Sequence, residues 1–316
     1  MNTQHTKLSI AGKMVDVDSL DIDNAIIVVT GNFIRIAEIK GDHWALETES
    51  RNHEKIVDEL KKSDLKADLY CFSQKLPDIE PRYQYPMEWD NLAVITIDTF
   101  EKWWKNQIPQ VTRKNVRRST KRGLTIRKTD FDSELVKGIV SIYNETPIRQ
   151  GRRFWHYGKE FERVREENST YLDRSDFIGA YFGEELVGYI KLVYMGQAAS
   201  MMAVICKNSH RDKRPANALI AKAVEICAEK KVKYLIYSRY IYPGHSESSL
   251  VEFKKRNGFK MVMIPRYYVP LTLKGRLALK MNLHNGIRAA LPNILIRNVR
   301  RLRAKWYARE TRNKGF

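Results

Sequence analysis

The sequence has few cysteines and no clustered metal ligands. Its three cysteines, Cys71, Cys206 and Cys227, form neither an even disulfide framework nor a metal-ligand spacing. Each lies in an apolar pattern, so the sequence predicts buried free thiols, which fit a reducing cytoplasm. His156 and His210 are isolated histidines, and we therefore predict no metal site.

The sequence also lacks a long apolar run. A membrane-spanning helix needs about 20 consecutive apolar residues, and no uninterrupted run in the chain approaches that length. The N-terminal stretch MNTQHTKLSIAGK contains no apolar signal-peptide core. We therefore expect neither secretion nor membrane spanning, and we expect a cytoplasmic location.

The composition is that of a folded protein. Hydrophobic residues make up 43% of the chain and aromatic residues 10%, which indicates a globular rather than a disordered protein. At 316 residues, the chain is long enough for one large or two modest domains, each with its own core.

Positive charge is concentrated in two segments. The formal net charge is +19. Residues 113–128 contain eight lysines and arginines and no acid, and residues 273–316 contain twelve against Glu310 alone. The rest of the chain is neutral on balance. Two local basic surfaces of this kind indicate an anionic partner.

The middle of the chain reads as a strand, a basic loop and a helix. Ala198 to Cys206 is an apolar, uncharged run of the kind that forms a buried strand. Lys207 to Arg214 is polar and basic, and Pro215 occupies the expected first helical turn. One buried helix face follows, formed by Leu219, Ile220, Ala223, Val224 and Cys227. The helix N-terminus and the loop cations point at one place, which suits a phosphate or pyrophosphate.

This stretch resembles a known family. Arg211-Asp-Lys-Arg214-Pro-Ala216-Asn-Ala-Leu-Ile is similar to the R/Q-x-x-G-x-G/A loop and following helix of the GNAT acyltransferases, with Arg214 at the place of the first glycine. Ser249 to Phe259, which ends in Gly-Phe, resembles the last helix of the same fold. The resemblance implies acetyl-CoA or another acyl-CoA as co-substrate. The implied cofactor-binding residues are Val204, Cys206, Arg211, Lys213, Arg214, Ala216, Asn217 and Ala218.

Three details are similar to the FemABX-like branch of that superfamily, whose members transfer aminoacyl groups from tRNA to peptidoglycan precursors. The loop carries Pro215-x-Asn217, and the last helix carries Phe253-Lys254 where many acetyltransferases place a catalytic tyrosine. Residues 113–127 resemble the basic helix and strand that open the second domain of Fem-type proteins. The similarity covers roughly residues 103–272.

The resemblance and the element pattern together predict an α+β fold of αβα type. We expect a small α+β domain over residues 1–102, a GNAT-like domain over 103–272 with a mixed, mostly antiparallel sheet flanked by helices, and a basic helical tail over 273–316. In GNAT folds the strands corresponding to Ala198–Cys206 and Tyr234–Ser238 splay apart, and the thioester enters between them. The strand ends at Val204–Cys206 and Ser238–Tyr242 should therefore border the reaction.

Several residues are candidates for acid and base roles in acyl transfer to an amine. Lys254 occupies the family's acid position. The nearby phenols in sequence are Tyr240, Tyr242, Tyr267 and Tyr268. The candidate bases are Glu247, Glu252, His245 or a chain of water molecules, and the sequence does not select among them. Backbone amides of a splayed strand can polarise the carbonyl without a side chain.

An aromatic and basic stretch precedes the central strands. The segment Arg149 to Tyr157 is too dense in arginines and aromatics for an ordinary linker. In the GNAT arrangement, the loop joining the first two helices overlies the acceptor pocket. The resemblance therefore implies acceptor recognition by Arg152, Arg153, Trp155, His156 and Tyr157, against simple aromatic packing as the alternative.

The C-terminal tail carries its own pattern. After Pro292, an apolar helix face is surrounded by basic residues. A helix of that kind either packs on the domain or lies on an anionic surface. We expect residues 273–316 to bind an anionic membrane at its inner face, an anionic cell-envelope precursor or RNA.

The sequence therefore leaves three functions open. The first is an N-acyltransferase of the GNAT superfamily that transfers an acyl group, most simply acetyl from acetyl-CoA, to an amine. The second is a FemABX-like aminoacyl transferase that draws on charged tRNA. The third is a binding protein that keeps the fold without catalysis.

Overall fold

The structure is a computed structural model, described over residues 3–10, 13–41, 51–149, 152–242 and 248–285. Within these ranges the strands are β1 (Gln4–Ile10), β2 (Lys13–Ile22), β3 (Ala25–Thr30), β4 (Ile36–Ile39), β5 (Leu69–Ser73), β6 (Met87–Thr96), β7 (Leu124–Thr129), β8 (Ile148–Arg149), β9 (Arg152–Arg153), β10 (Ser175–Phe182), β11 (Glu185–Met195), β12 (Ala198–Cys206), β13 (Tyr234–Arg239) and β14 (Lys260–Pro270).

The same ranges contain the helices α1 (His53–Lys62), α2 (Phe100–Lys102), α3 (Gln110–Lys121), α4 (Ser133–Tyr143), α5 (Phe161–Asn168), α6 (Pro215–Glu229), α7 (Ser249–Arg256) and α8 (Leu273–Lys280). Helix α6 begins at Pro215, as the sequence predicts. Its predicted apolar face is buried at Leu219, Ile220, Ala223, Val224 and Cys227.

One sheet contains most of the strands. Its order is β1-β2-β3-β4-β5-β14-β6-β13-β12-β11-β10-β7, and β8 and β9 form a separate two-stranded pair. Neighbours in this sheet are antiparallel except at β4–β5 and β12–β13. The predicted class, a mixed and mostly antiparallel sheet flanked by helices, is confirmed.

Strands from both sequence halves interleave at the centre of the sheet. Strand β6 pairs with β13 on one side and with β14 on the other. One core cluster packs around β11, β12 and α6, and a second packs around β3, β5 and α1. The domain boundaries at residues 102 and 272 stay predictions, and backbone hydrogen bonds cross both of them.

Apolar runs in the sequence also predict strands at Phe33–Ile39 and at residues 44–47, a final strand pair Phe259–Ile264 and Tyr267–Leu271, and a helix from Phe100 to Arg122. The first strand, the final pair and the helix differ from the structure. The predicted pair Phe259–Ile264 and Tyr267–Leu271 is one strand, β14, because no turn separates the halves and the Pro265 carbonyl still accepts from Gln74 N at 2.9 Å. The predicted hairpin strand Phe33–Ile39 narrows to β4. A predicted strand at residues 44–47 lies outside the described residues.

The predicted helix from Phe100 to Arg122 is broken near Pro109. A π-helical turn, Trp103–Gln107, follows α2, and α3 starts only after Pro109 because proline cannot continue a helical hydrogen-bond ladder. Arg113 Nη1 satisfies carbonyls at this break, donating to Trp104 O at 3.0 Å and Ile108 O at 2.7 Å.

Helix α8 docks beside β14. The Thr272 side chain caps it by accepting from Gly275 N at 3.0 Å, and Thr272 Oγ1 also donates to Asp68 Oδ1 at 3.1 Å. A Cβ atom at Gly275 would overlap the Asp68 carbonyl oxygen and approach Leu69 Cδ2 to 3.2 Å. In the described ranges, no helix has the length and apolar character needed to cross a membrane.

We predict that Gly275→Ala loosens α8. Glycine to alanine in a helix interior ordinarily stabilises by about 1 kcal/mol, but here the added methyl group has no room. We expect a net destabilisation of about 1 to 3 kcal/mol and faster amide hydrogen exchange in α8. Thr120→Ala, on the exposed surface of α3, is the control and should leave exchange in α8 unchanged. Slower exchange in Gly275→Ala would contradict the tight docking.

Candidate active site

The sheet opens between β12 and β13. These two parallel strands pair only over Ala198–Ser200 with Tyr234–Ile236. Beyond Ser200, β12 continues to pair with β11, and β13 continues to pair with β6 at Arg239. The predicted splay is therefore present, and we call the gap between the unpaired ends of these two strands the cleft.

Two β-bulges lie where the strands part. On β12, Lys191 faces Ala203 while Leu192 faces Met201, so Met202 is an extra residue. On β13, Tyr237 and Ser238 together face one residue of β6, and Ser238 has a φ of 50°. Bulges bend a strand and re-aim its side chains. Both strands therefore turn at the cleft.

Lys254 lies buried beside this cleft. It is on α7 and its side chain is 0% exposed, unlike the solvated lysine that a short basic helix would suggest. Its Nζ donates to the Arg239 carbonyl oxygen at the end of β13. The same Nζ lies 4.8 Å from the ring centre of Tyr237 and 4.9 Å from that of Tyr242.

The surroundings of Lys254 disfavour its charged form. Burial lowers the pKa of the Lys254 ammonium from 10.5 to about 8. Aromatic ring faces and one carbonyl stabilise the cation only partly. Near neutral pH the group can therefore donate a proton and can also exist as a free amine, which is the behaviour required of a general acid or base.

Two of the predicted phenols lie near Lys254. Tyr242 Oη donates to Ser238 Oγ at 3.1 Å, and its ring faces Lys254. Tyr240 follows the end of β13, and its backbone N donates to Asn91 O at 3.4 Å. Both are half-buried. Burial raises the pKa of the Tyr240 phenol.

Tyr267 is not at this site, which corrects the prediction. It is fully buried at the other end of β14, where it pairs with Met87 and Phe72. Its hydroxyl accepts from Arg82 N at 2.9 Å and donates to Gln74 Oε1 at 3.0 Å. These bonds hold the loop after β5. Sequence proximity to α7 was misleading because β14 carries the chain away from it.

Of the candidate bases, only Glu252 belongs to the described residues, and it does not face Lys254. Glu252 is exposed and pairs with Arg256, with 2.7 Å between Oε1 and Nε. His245 and Glu247 lie outside the described residues. Tyr237 was not predicted. Its ring lies between Lys254 and Phe259, and burial raises its pKa far above the usual range. A tyrosine at a strand end carries no distinctive sequence signal.

The predicted donor loop ends in a residue with a left-handed backbone. Arg214, which the sequence resemblance aligns with the first glycine of the GNAT loop, has φ of 61° and ψ of 41°. A 3₁₀ turn, Arg211–Lys213, precedes it. Ala216 and Ala218 follow in the first turn of α6, whose earliest amides have no intrahelical partner.

Some side chains of this loop are exposed, whereas others already contact neighbouring protein groups. Arg211 is exposed, whereas Lys213 Nζ lies 4.7 Å from the Phe182 ring centre and 3.8 Å from Asp212 Oδ1. Asn217 is engaged internally, since its Nδ2 donates to Asn257 Oδ1 at 3.0 Å. This bond joins the start of α6 to the end of α7, which gives Asn217 a positioning role.

Val204 and Cys206 border the cleft on β12, and both are half-buried against the main core. Burial raises the pKa of the Cys206 thiol to about 12, so the group is a poor nucleophile. Its carbonyl oxygen accepts from Arg149 Nη1 at 2.9 Å. Cys71 and Cys227 are buried, as predicted, whereas Cys206 is only half-buried, and none of the three is in a disulfide.

The predicted acceptor segment packs against the end of β12. His156 is buried, with its ring centre 3.5 Å from that of exposed Trp155. Burial, with Lys159 and Arg149 nearby, lowers the pKa of His156 to about 3, so its imidazole is neutral. Arg153 and Tyr157 are exposed, whereas the side chain of Arg152 lies outside the described set.

Glu145, which was not predicted, and Arg149, the first residue of the predicted segment, connect this segment to the donor loop. Glu145 accepts from Asn208 N at 2.7 Å and from Ser209 N at 2.8 Å, and it pairs with Arg149 at 3.2 Å. Their four-residue spacing is a visible signal, although it indicates only a helical ion pair.

The predicted basic helix separates into structural and exposed residues. Arg113 binds backbone carbonyls, Arg127 lies 4.5 Å from the Tyr181 ring centre, and Lys128 pairs with Asp176 at 2.6 Å. The other five line one groove, which we call the basic face of α3: Lys114, Arg117, Arg118, Lys121 and Arg122. Arg122 Nη1 reaches the donor loop at Asp212 Oδ2, 2.7 Å away.

No metal centre is formed by the described ranges, in which no group of three potential ligands comes together. The described residues therefore combine two parted strands, a buried lysine at the end of one of them, a basic loop that leads into α6 and a basic face on α3.

Comparison with known proteins identifies the fold. No family model matches the chain, and no curated protein matches it. Among solved structures, L-PGS from Bacillus licheniformis matches with a TM-score of 0.56 at 15% identity, over 84% of this chain and 87% of that one. FemX matches with a TM-score of 0.54 at 12% identity, over 88% of this chain and 90% of that one.

A third match is the C-terminal domain of a protein named as a lysylphosphatidylglycerol synthetase from Agrobacterium fabrum. Its TM-score is 0.55 at 12% identity, over 84% of this chain and 87% of that one. At such identities the similarity shows the fold. The chain therefore shares the fold of FemX and of these two L-PGS structures.

We predict that the burial of Lys254 gives a pH-dependent cost in stability. Between about pH 8 and 10.5 the unfolded chain binds the proton that the folded chain has lost, so stability rises with pH through this window. Below it, both states are charged and the full cost of burial applies. Lys254→Met should therefore stabilise the protein on the order of 1 to 3 kcal/mol near neutral pH, and less near pH 10.

Urea unfolding at both pH values measures this difference. Lys255→Met, an exposed neighbour on the same helix, is the control and should change stability little at either pH. A Lys254→Met effect that is equal at the two pH values would show that the lysine keeps its ordinary pKa.

Proposed function

We propose that this protein is an acyltransferase that moves an aminoacyl group from charged tRNA to an amine of a cell-envelope precursor. The observation that carries the proposal is the basic face of α3, joined to the donor loop through the contact between Arg122 and Asp212. Five cations on one exposed helix face suit successive phosphates of a nucleic acid. The resemblance to the FemABX-like branch supplies aminoacyl-tRNA as the donor.

The reaction would take place in the cleft between β12 and β13. The acceptor nitrogen attacks the ester carbonyl carbon, the bond from that carbon to the ribose oxygen breaks, and the nitrogen loses a proton while the ribose oxygen gains one. Cleft-facing backbone amides of Met202–Cys206 would polarise the carbonyl. Lys254 would supply the proton to the leaving oxygen, since its lowered pKa makes the ammonium an effective acid.

Acyl-CoA is the second candidate donor. The N-terminus of α6 after the left-handed Arg214 favours it, because the first amides of a helix have no acceptor within the helix and suit a pyrophosphate. Arg211 lies exposed beside it. With this donor, the leaving group is a thiolate, and acetyl is the simplest acyl group.

The first experiment separates the donors by binding. We expect full-length protein to bind bulk tRNA with an affinity that falls steeply with salt, and Lys114→Glu with Arg118→Glu and Lys121→Glu to weaken it. The slope of log affinity against log salt should fall by about 0.7 to 0.9 per lost phosphate contact. Lys61→Glu with Lys62→Glu and Lys66→Glu, exposed residues on and after α1, is the control with the same net charge.

Equal tRNA binding by both triple variants would show that the basic face of α3 does not bind tRNA, which would contradict the proposal. Calorimetry with acetyl-CoA and longer acyl-CoAs, and mass spectrometry of co-purifying ligands, test the second donor directly. Binding of an acyl-CoA without binding of tRNA would assign that donor.

The second experiment concerns Lys254 and measures transfer of a labelled aminoacyl group from charged tRNA to a panel of amines. Lys254→Met should lower kcat by about 100-fold or more and leave tRNA binding unchanged. Lys254→Arg should also be slow, since a guanidinium does not give up its proton. Full activity in Lys254→Met would exclude the acid role. Absence of turnover by the unaltered protein with either donor would favour the binding-protein alternative.

A further inference from the structure

Helix α8 exposes an apolar stripe. Its inner side packs through Gly275 and Ala278, which are buried. Leu273, Leu277 and Met281 recur every four residues and are 82%, 58% and 55% exposed. Residues at this spacing lie on one side of a helix. The helix is therefore apolar on two sides, of which only one is used by the core.

Cations accompany this stripe. Lys274, Arg276 and Lys280 are exposed on the same helix, and residues 273–285 contain no acid. Lys274 Nζ lies 5.2 Å from the ring centre of Phe33, which is itself 62% exposed, and 3.2 Å from Asp68 Oδ2. At the far end, Glu88 is occupied by His284 and Asn285. The surface thus combines exposed apolar side chains with net positive charge.

An anionic bilayer surface matches this combination. A helix lying in a membrane interface inserts an apolar side among the acyl chains and keeps basic residues at the headgroups. The following residues 286–316 add nine lysines and arginines against Glu310, so the charge of the sequence favours the same anionic partner. An acidic protein would satisfy the cations but gives no reason for three exposed, evenly spaced apolar side chains.

We propose that α8 docks the protein on anionic membrane through Leu273, Leu277 and Met281, with Phe33 at the border and Arg276 and Lys280 at the headgroups. This goes beyond the proposed transfer reaction and does not depend on it. The sequence predicts that the segment 273–316 binds an anionic partner, and this proposal assigns membrane binding to one side of α8 within that segment.

Vesicle sedimentation of the full chain tests the proposal. We expect binding to vesicles of phosphatidylglycerol and phosphatidylcholine, and little binding to phosphatidylcholine alone. Leu273→Ser with Leu277→Ser and Met281→Ser should lower the partition coefficient more than tenfold. Arg276→Glu with Lys280→Glu should lower the partition coefficient by about fivefold per residue or more, and this decrease should be smaller at high salt.

Matched controls use exposed apolar residues elsewhere. Ile10→Ser with Val111→Ser and Met261→Ser replaces side chains that are 41%, 48% and 49% exposed, and should leave vesicle binding unchanged. Equal losses in the control and the stripe variant would overturn the proposal. Vesicle binding that is unchanged in the stripe variant but lost in the Arg276 and Lys280 variant would overturn docking through the apolar stripe, because charge attraction alone would then explain the binding.

Accessibility of the stripe before binding gives a second readout. With Leu277→Cys, a maleimide should label the new thiol rapidly in solution and slowly on anionic vesicles. Slow labelling without vesicles would mean that another part of the chain or a second copy covers the stripe, and light scattering would then reveal a dimer in the latter case. Either result would overturn membrane docking through this surface.

Discussion

The parting of β12 and β13 is the constraint on which the rest of the site depends. Backbone N–H and C=O groups in a sheet interior need partners, and beyond Ser200 the parted strands pair with neighbouring strands on their outer sides, at β11 and β6. Inside the cleft, the groups beyond Ser200 are released from pairing between these two strands. In the proposed reaction, a substrate carbonyl would accept hydrogen bonds from these unpaired backbone amides.

Lys254 is placed at this cleft by contacts far from it in sequence. Its helix ends at Asn257, a fully buried residue whose Nδ2 donates to Phe253 O at 2.8 Å and whose carbonyl accepts from Trp103 Nε1 at 3.3 Å. Thr112 Oγ1 on α3 donates to Arg256 O at 2.9 Å. The helix that carries the basic face is thus bonded to the helix that carries the buried lysine, which fixes the distance between the basic face of α3 and Lys254.

The basic residues of the segment 113–128 and those of α8 lie in different surroundings. In residues 113–128, three of the eight cations are taken up by carbonyls, a ring and a buried carboxylate, and the remainder lie together on α3. In α8, charge accompanies exposed leucines instead of a cation-only groove. A nucleic acid backbone suits the first surface because it offers repeated phosphates, whereas an apolar stripe with cations suits a lipid surface.

The sequence by itself determined the elements that depend on local patterns. These include the buried strand Ala198–Cys206, the helix from Pro215, the free cysteines and the two concentrations of charge, because apolar period, proline and composition act within a few residues. The loop from Arg211 and the Gly-Phe ending also indicated the fold. The tertiary structure decided what depends on partners distant in sequence. Tertiary packing buries Lys254 and places Tyr267 in a different core cluster. It also pairs Asn217 with Asn257 and separates the ends of β12 and β13. Side-chain burial and strand register depend on contacts between distant residues, which no local sequence pattern encodes.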